Sequence, residues 1–197
     1  MRRQLDVSTH GRTGSDEWRT IVEPKTGARL TFETSGVETG GAFVRARGFL
    51  PAHAPGPPRH RHRTCSESFT VLSGQLTLNV AGRLIRLGPG ENATVPPGIA
   101  HTFRNEGDVA VEATSEVCPA VHFEDHLRAL YGLMRAGRMD PINFALAMRL
   151  GESLPAGPPV PVARALVGIL AWVGDRMGRD GSFPEFTRPP SASDANK

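Results

Sequence analysis

A chain of 197 residues is long enough to bury one substantial core without disulfide support. Its two cysteines, Cys65 and Cys118, form neither a disulfide framework nor a Cys-x-x-Cys metal pair, so a reducing, cytoplasmic setting is expected. The net charge of +3 comes with no basic patch interleaved with aromatics, which argues against nucleic-acid binding. The longest near-apolar stretch, 160–174, is too short for a membrane span and is broken by Arg164.

Residues 1–17 are polar and lack hydrophobic periodicity, and they are expected as a flexible arm. Their two arginines precede no apolar run, so no secretory leader is expected. Residues 18–118 then read as short strands with close turns. Residues 20–23 and 29–34 flank Pro24-Lys25-Thr26-Gly27, a hairpin signal. Residues 42–50 alternate small or apolar with charged side chains, as in a half-buried strand. After a proline-rich loop, 51–58, strands are predicted over 69–72, 75–80, 83–87, 93–95, 101–104 and 109–117. Leu76, Leu78 and Val80 share one face at period two. Many strands with no intervening helix predict a sandwich or barrel.

The pattern changes near Pro119. Phe123, Leu127, Leu130, Tyr131 and Met134 recur at helical spacing, with Gly137 as a stop. Asp140-Pro141 reads as an N-cap followed by a first-turn proline, opening a helix that ends at Gly151. A linker is expected over 155–161. A third helix over 162–177 carries the stripe Val162, Leu166, Ile169, Leu170, Val173 and Met177. That stripe must lie against the barrel or a partner chain, and a homodimer using residues 122–177 is expected. Residues 119–180 thus form a helical extension and 181–197 a polar tail.

The chemistry concentrates in a few positions. In extended chain, residues two apart face the same way, so His60 and His62 can both point inward while Arg59, Arg61 and Arg63 point out. Glu67 follows five residues later and shares a face with Phe69 and Val71. His101 comes from a separate strand after Pro96-Pro97-Gly98. Three imidazoles and one carboxylate suit iron, manganese, nickel, copper or zinc rather than calcium or magnesium.

Residues 56–74, GPPRHRHRTCSESFTVLSG, resemble the first cupin motif, G(X)5HXH(X)3-4E(X)6G. Residues 90–105, GENATVPPGIAHTFRN, resemble the second, G(X)5PXG(X)2H(X)3N, at Gly90, Pro96, Gly98, His101 and Asn105. The first motif departs at its opening glycine, where Ala54 stands and Gly56 is displaced by two. The resemblance implies a double-stranded β-helix barrel, the cupin or jelly-roll fold, with C-terminal α-helices. It also implies one divalent transition metal on His60, His62, Glu67 and His101. The layout as a whole is similar to bacterial proteins that join such a barrel to a helical tail.

Other residues have plainer readings. Cys65 is expected as a small packed residue, His122 and His126 as a solvated helix face, and His53 as part of its loop. Asn105 either orients a ligand or satisfies backbone at a turn. The expected activity is a metal-dependent, oxygenase-like enzyme acting on a small, largely apolar molecule. The alternatives are a cyclase or isomerase using the metal as a Lewis acid, and a non-catalytic binding or sensing barrel. No catalytic residue beyond the four ligands is assigned.

Overall fold

The computed structural model describes residues 18–188. The arm expected over 1–17 lies outside the described residues, as does the tail from 189 to 197.

Eleven strands among the described residues form two antiparallel sheets. They are β1 (Thr20–Val22), β2 (Arg29–Thr34), β3 (Val44–Leu50), β4 (His60–His62), β5 (Ser66–Ser73), β6 (Leu76–Val80), β7 (Arg83–Leu87), β8 (Asn92–Val95), β9 (His101–Arg104), β10 (Val111–Cys118) and β11 (Ser153–Pro155). One sheet has the order β1-β2-β3-β10-β5-β8, and the other β11-β4-β9-β6-β7. The chain crosses between sheets at each non-adjacent step, giving the jelly-roll barrel with helices appended at its C-terminal end. Sequence alternation sets the faces. Val44, Ala46 and Leu50 are buried on β3 while Arg45 and Arg47 are exposed, and Glu67, Phe69 and Val71 are buried on β5. Phe69, Val71, Leu76, Leu78, Val95 and Val111 fill the barrel core, with Phe103 packed against them.

Gly56 explains the displaced glycine of the first motif. Its φ is +67°, and a Cβ there would stand 1.7 Å from the Phe103 carbonyl oxygen. The close backbone approach next to β9 therefore needs glycine at 56, and Ala54 packs into the core two residues earlier.

The helices are α1 (Phe123–Arg135), α2 (Pro141–Leu150), α3 (Val160–Arg176) and the short α4 (Pro184–Thr187). Asp140 caps α2, its carboxylate accepting from the Ile142 and Asn143 backbone N–H groups, and Pro141 opens the first turn. On α1, Arg128 is buried, paired with Glu124 at 2.8 Å and stacked over Trp18 and Phe32. That clamp, with Phe123 in the cluster around Phe32 and Val44, holds α1 to the larger sheet. A separate cluster of Ala129, Leu133, Leu146, Ala147, Ala171 and Phe183 ties the four helices together.

Three features differ from the sequence expectations. Residues 153–155 form a strand, β11, which pairs with β4 in the register Ser153↔His62, Leu154↔Arg61, Pro155↔His60. Three residues are too few to show a period, so the pattern could not reveal it. Within the stretch expected as a tail, Phe183 is 2% exposed and opens α4. A lone aromatic among polar neighbours carries no periodic signal. Finally, α3 packs through Ala163, Ala171 and Gly174 and leaves its larger residues outward: Val162, Leu166, Ile169, Trp172 and Met177 are roughly half exposed. Small residues allow the close approach to α2, where a Cβ on Gly174 would meet Ile142 and Leu146 at 2.9 Å.

Candidate metal centre

β4 carries His60 and His62 two residues apart, and β9 lies beside it with His101 directly opposite His60. Glu67 comes from β5, in the opposite sheet. The four side chains therefore meet across the barrel interior. One donor atom from each lies within 4.8 Å of every other. The ring centroids of His60 and His101 are 4.5 Å apart, and those of His60 and His62 5.0 Å.

Hydrogen bonds fix which nitrogen each ring offers. His60 Nδ1–H donates to the Pro58 carbonyl at 2.9 Å and His101 Nδ1–H to the Ile99 carbonyl at 3.0 Å. His62 Nδ1 lies 3.0 Å from Ser153 Oγ, whose own hydroxyl donates to the Gly151 carbonyl. The serine oxygen therefore accepts from His62 Nδ1–H. With all three Nδ1 atoms carrying hydrogen, each neutral ring presents an Nε2 lone pair. Those of His62 and His101 stand 3.2 and 3.0 Å from Glu67 Oε2. Lone pairs facing a carboxylate repel unless a cation joins them, either a proton on a ring or a metal ion. This donor set, three nitrogens and one oxygen with their outer edges already anchored, fits a divalent transition ion.

The electrostatics agree. Burial alone would push the Glu67 carboxyl up, but hydrogen bonds from His101 and His62, and the charge of those rings, hold it far below the usual carboxylate range. Burial works against a charged His101 as well, yet its bond to Glu67 leaves it raised above an ordinary histidine. Burial dominates at His60, whose value falls to about 4.

The other candidates resolve individually. Cys65 is buried in the cluster behind the site, and burial, with Glu67 nearby, pushes its thiol up to about 12, so it is a packed and unreactive residue. His53 is exposed in its loop, 3.0 Å from Asp108. Asn105 Nδ2 donates to the Pro51 and Val109 carbonyls at 2.9 and 2.8 Å, and its Oδ1 accepts from Gly107 N–H, so it ties backbone at the turn. Arg59 and Arg63 are exposed and Arg61 is half-buried. His122 and His126 do not share a solvated face. His122 precedes the first helical turn at φ −112°, ψ 37°, exposed beside Asp125, whereas His126 is 4% exposed. His126 instead falls on the buried face of α1, with Phe123, Ala129 and Leu133.

A cavity of about 500 Å³ opens on the cluster and is lined by His60, His62 and Glu67 at that end. Phe69, Leu76 and Phe103 continue it inside the barrel, and Leu127, Tyr131, Met134, Met139, Phe144 and Met148 cover it from the helical extension. Sequence reasoning found the four ligand-type residues but not the roles of Ser153, His126 and the cavity methionines. Nothing local marks them, because their roles arise from where the extension folds back.

A family model described as "Cupin domain" matches residues 48–116, which contain the whole cluster. Residues 48–116 thus match a cupin domain, and the His/Glu cluster within them is compatible with a metal ion. Among curated proteins, it is 29% identical over 159 residues to one described as "Probable oxidoreductase yanE" from Aspergillus niger. That alignment takes in 70% of this chain, which spans only 62% of the relative's length. Among solved structures, a sugar phosphate isomerase of the cupin superfamily from Silicibacter pomeroyi aligns with TM-score 0.43 at 23% identity, covering 48% of this chain and 61% of that one. A predicted oxalate decarboxylase from Thermotoga maritima aligns with TM-score 0.44 at 19% identity, covering 47% and 80%. KdgF from Halomonas sp. aligns with TM-score 0.44 at 18% identity, covering 50% and 83%.

Proposed function

We propose that this chain is a metal-dependent, oxygenase-like enzyme acting on a small, largely apolar organic molecule. The observation that carries this reading is the three-histidine, one-glutamate cluster beside a mostly apolar cavity of about 500 Å³. His60, His62, Glu67 and His101 would hold one divalent ion, and a bound transition ion would supply Lewis acidity and, where its metal permits, redox chemistry. Glu67 offsets part of the positive charge, and Ser153, Pro58 and Ile99 keep the imidazoles aimed at one point. Phe69, Leu76 and Phe103 exclude water around a substrate. The oxidoreductase description of the Aspergillus niger relative favours the same class.

The test is elemental analysis of protein purified without chelator, then oxygen uptake against a panel of phenolic compounds. Metal near one ion per chain with uptake for some panel members supports the reading. Metal without uptake, but with turnover in the absence of oxygen, would shift it to a cyclase or isomerase. That alternative is favoured by one observation, a buried histidine outside the cluster, His126, in the cavity wall. Ligand binding without turnover would leave a sensing barrel.

A homodimer is part of the proposal. The outer face of α3 sets Val162, Leu166, Ile169 and Met177 on one side of a 17-residue helix. Two-fold pairing would cover like with like and leave Arg164 and Asp175 outside the seam. Light scattering after size exclusion should give two chains for the wild type and one for Leu166→Asp/Ile169→Asp. A wild-type monomer would remove the dimer.

A further inference from the structure

His126 stands apart from the metal-type cluster, one helical turn beyond Phe123, whose ring packs edge-on against His62 at 5.6 Å. It is 4% exposed and lines the cavity. Its Nδ1–H donates to the Ala147 carbonyl on α2 at 2.7 Å. That bond settles the tautomer of the neutral ring: Nε2 carries a lone pair. Nε2 has no hydrogen-bond partner among the described residues.

The packing fixes the ring's orientation too. A Cβ built on Gly151 would fall 2.3 Å from His126 Cγ and 2.7 Å from both its Cβ and Nδ1. The Cγ–Nδ1 edge is therefore pressed against the end of α2, which leaves the opposite edge, with Nε2, for the cavity. Burial without a counter-charge keeps the imidazole neutral, down to about 4. An acceptor that opens on a mostly apolar cavity is free to take a hydrogen bond from a donor bound there.

We infer that His126 Nε2 is the orienting acceptor for the cavity's ligand. The ligand class is accordingly an apolar, aromatic-sized molecule bearing a hydroxyl or N–H donor, with phenols the simplest case. This rests on the apolar-substrate reading above and narrows it. His126 would fix which end of the molecule enters first, presenting the remainder to the space beside His60, His62 and Glu67. It acts as a positioning residue, and its role does not depend on which metal is bound.

The experiment compares two probes of nearly equal shape, 2-naphthol and 2-methoxynaphthalene, titrated into metal-stripped and metal-loaded protein by fluorescence. The wild type should prefer 2-naphthol by about fivefold to tenfold, the size of one net hydrogen bond. His126→Phe should bind both alike, while His126→Gln, which keeps an acceptor, should retain part of the preference. In the wild type, the His126 Nε2 nitrogen resonance should move upfield on adding 2-naphthol and stay put with the ether, a readout that needs no variant to fold. An unchanged preference in His126→Phe, no preference in the wild type, or an unmoved resonance would overturn the inference. Equal binding of both probes would do so while leaving the apolar cavity in place. Binding of neither would remove the apolar-substrate reading as well.

Discussion

The two walls of the cavity are built on opposite terms. At the barrel end the imidazoles have their direction imposed: His60, His62 and His101 each spend Nδ1 on an anchor, and Glu67 reaches them from the opposite sheet. At the helical end three of the chain's five methionines, Met134, Met139 and Met148, face the same space. An unbranched thioether side chain refits itself to what it touches, whereas an anchored imidazole does not. The barrel thus sets where chemistry happens, and the helices set what shape is admitted. Between them sits His126, on a helix but pinned by its Nδ1–H bond to the Ala147 carbonyl and by Gly151 against its ring.

The largest blow to the rigid wall is loss of a ligand-type residue. His62→Ala or His101→Ala should lower metal content by more than the roughly 10–100-fold that loss of an outer partner costs. Equal metal in wild type and both variants, by elemental analysis, would end the assignment. The pH response sharpens the same point. Glu67 keeps a proton on His101 above the usual histidine range, while His60 is already neutral down to about 4. Metal must displace that proton, so affinity should rise with pH through and beyond 6.5. Fewer protons should be released than three ordinary histidines would give.

Next in size is the acid response of His126. Its folded value of about 4 lies below the ordinary 6.5, so the unfolded chain binds the extra proton first. Stability should therefore fall as pH drops from about 6.5 toward 4, by roughly 3 kcal/mol from this residue at most. Denaturant titrations of metal-free protein across that window should show a shallower loss in His126→Phe. A parallel slope would mean that His126 is not buried as a neutral ring.

Ser153→Ala removes the acceptor for His62 Nδ1–H and leaves β11 paired through its backbone. Metal affinity should drop by roughly 10–100-fold, about 1.4–2.7 kcal/mol, with an unchanged circular dichroism spectrum. Chelator competition measures it. Met148→Leu, at the adaptable wall, should cost under about 1.5 kcal/mol of stability. It should nonetheless reorder affinities among bulky cavity ligands, and identical ligand rankings would mean that the methionines are only filler.

The same division governs what could be read in advance. The His/Glu cluster was legible because period two places His60 and His62 on one face, and Glu67 and His101 fall at motif spacing from them. Asp140 was legible as a cap, since a carboxylate before Pro141 has few other uses. Ser153 was not, because its partner stands 91 residues earlier and a three-residue strand has no pattern of its own. For α3 the apolar stripe was legible, but the face that docks within the chain was not. Periodicity reports that a face is apolar, while the smallness of Ala163, Ala171 and Gly174 decided which face docks.

The pairing of β11 with β4 has a consequence for how the protein is made. A ribosome delivers residues 60–62 long before 153–155. Until then the strand that carries His60 and His62 has an open flank, with backbone groups free to bond to other chains. Maturation of the metal-type cluster is thereby tied to completion of the extension. A nascent chain stalled after the barrel would expose that flank and lack the anchor for His62, so metal capture should follow the emergence of residues 153–155.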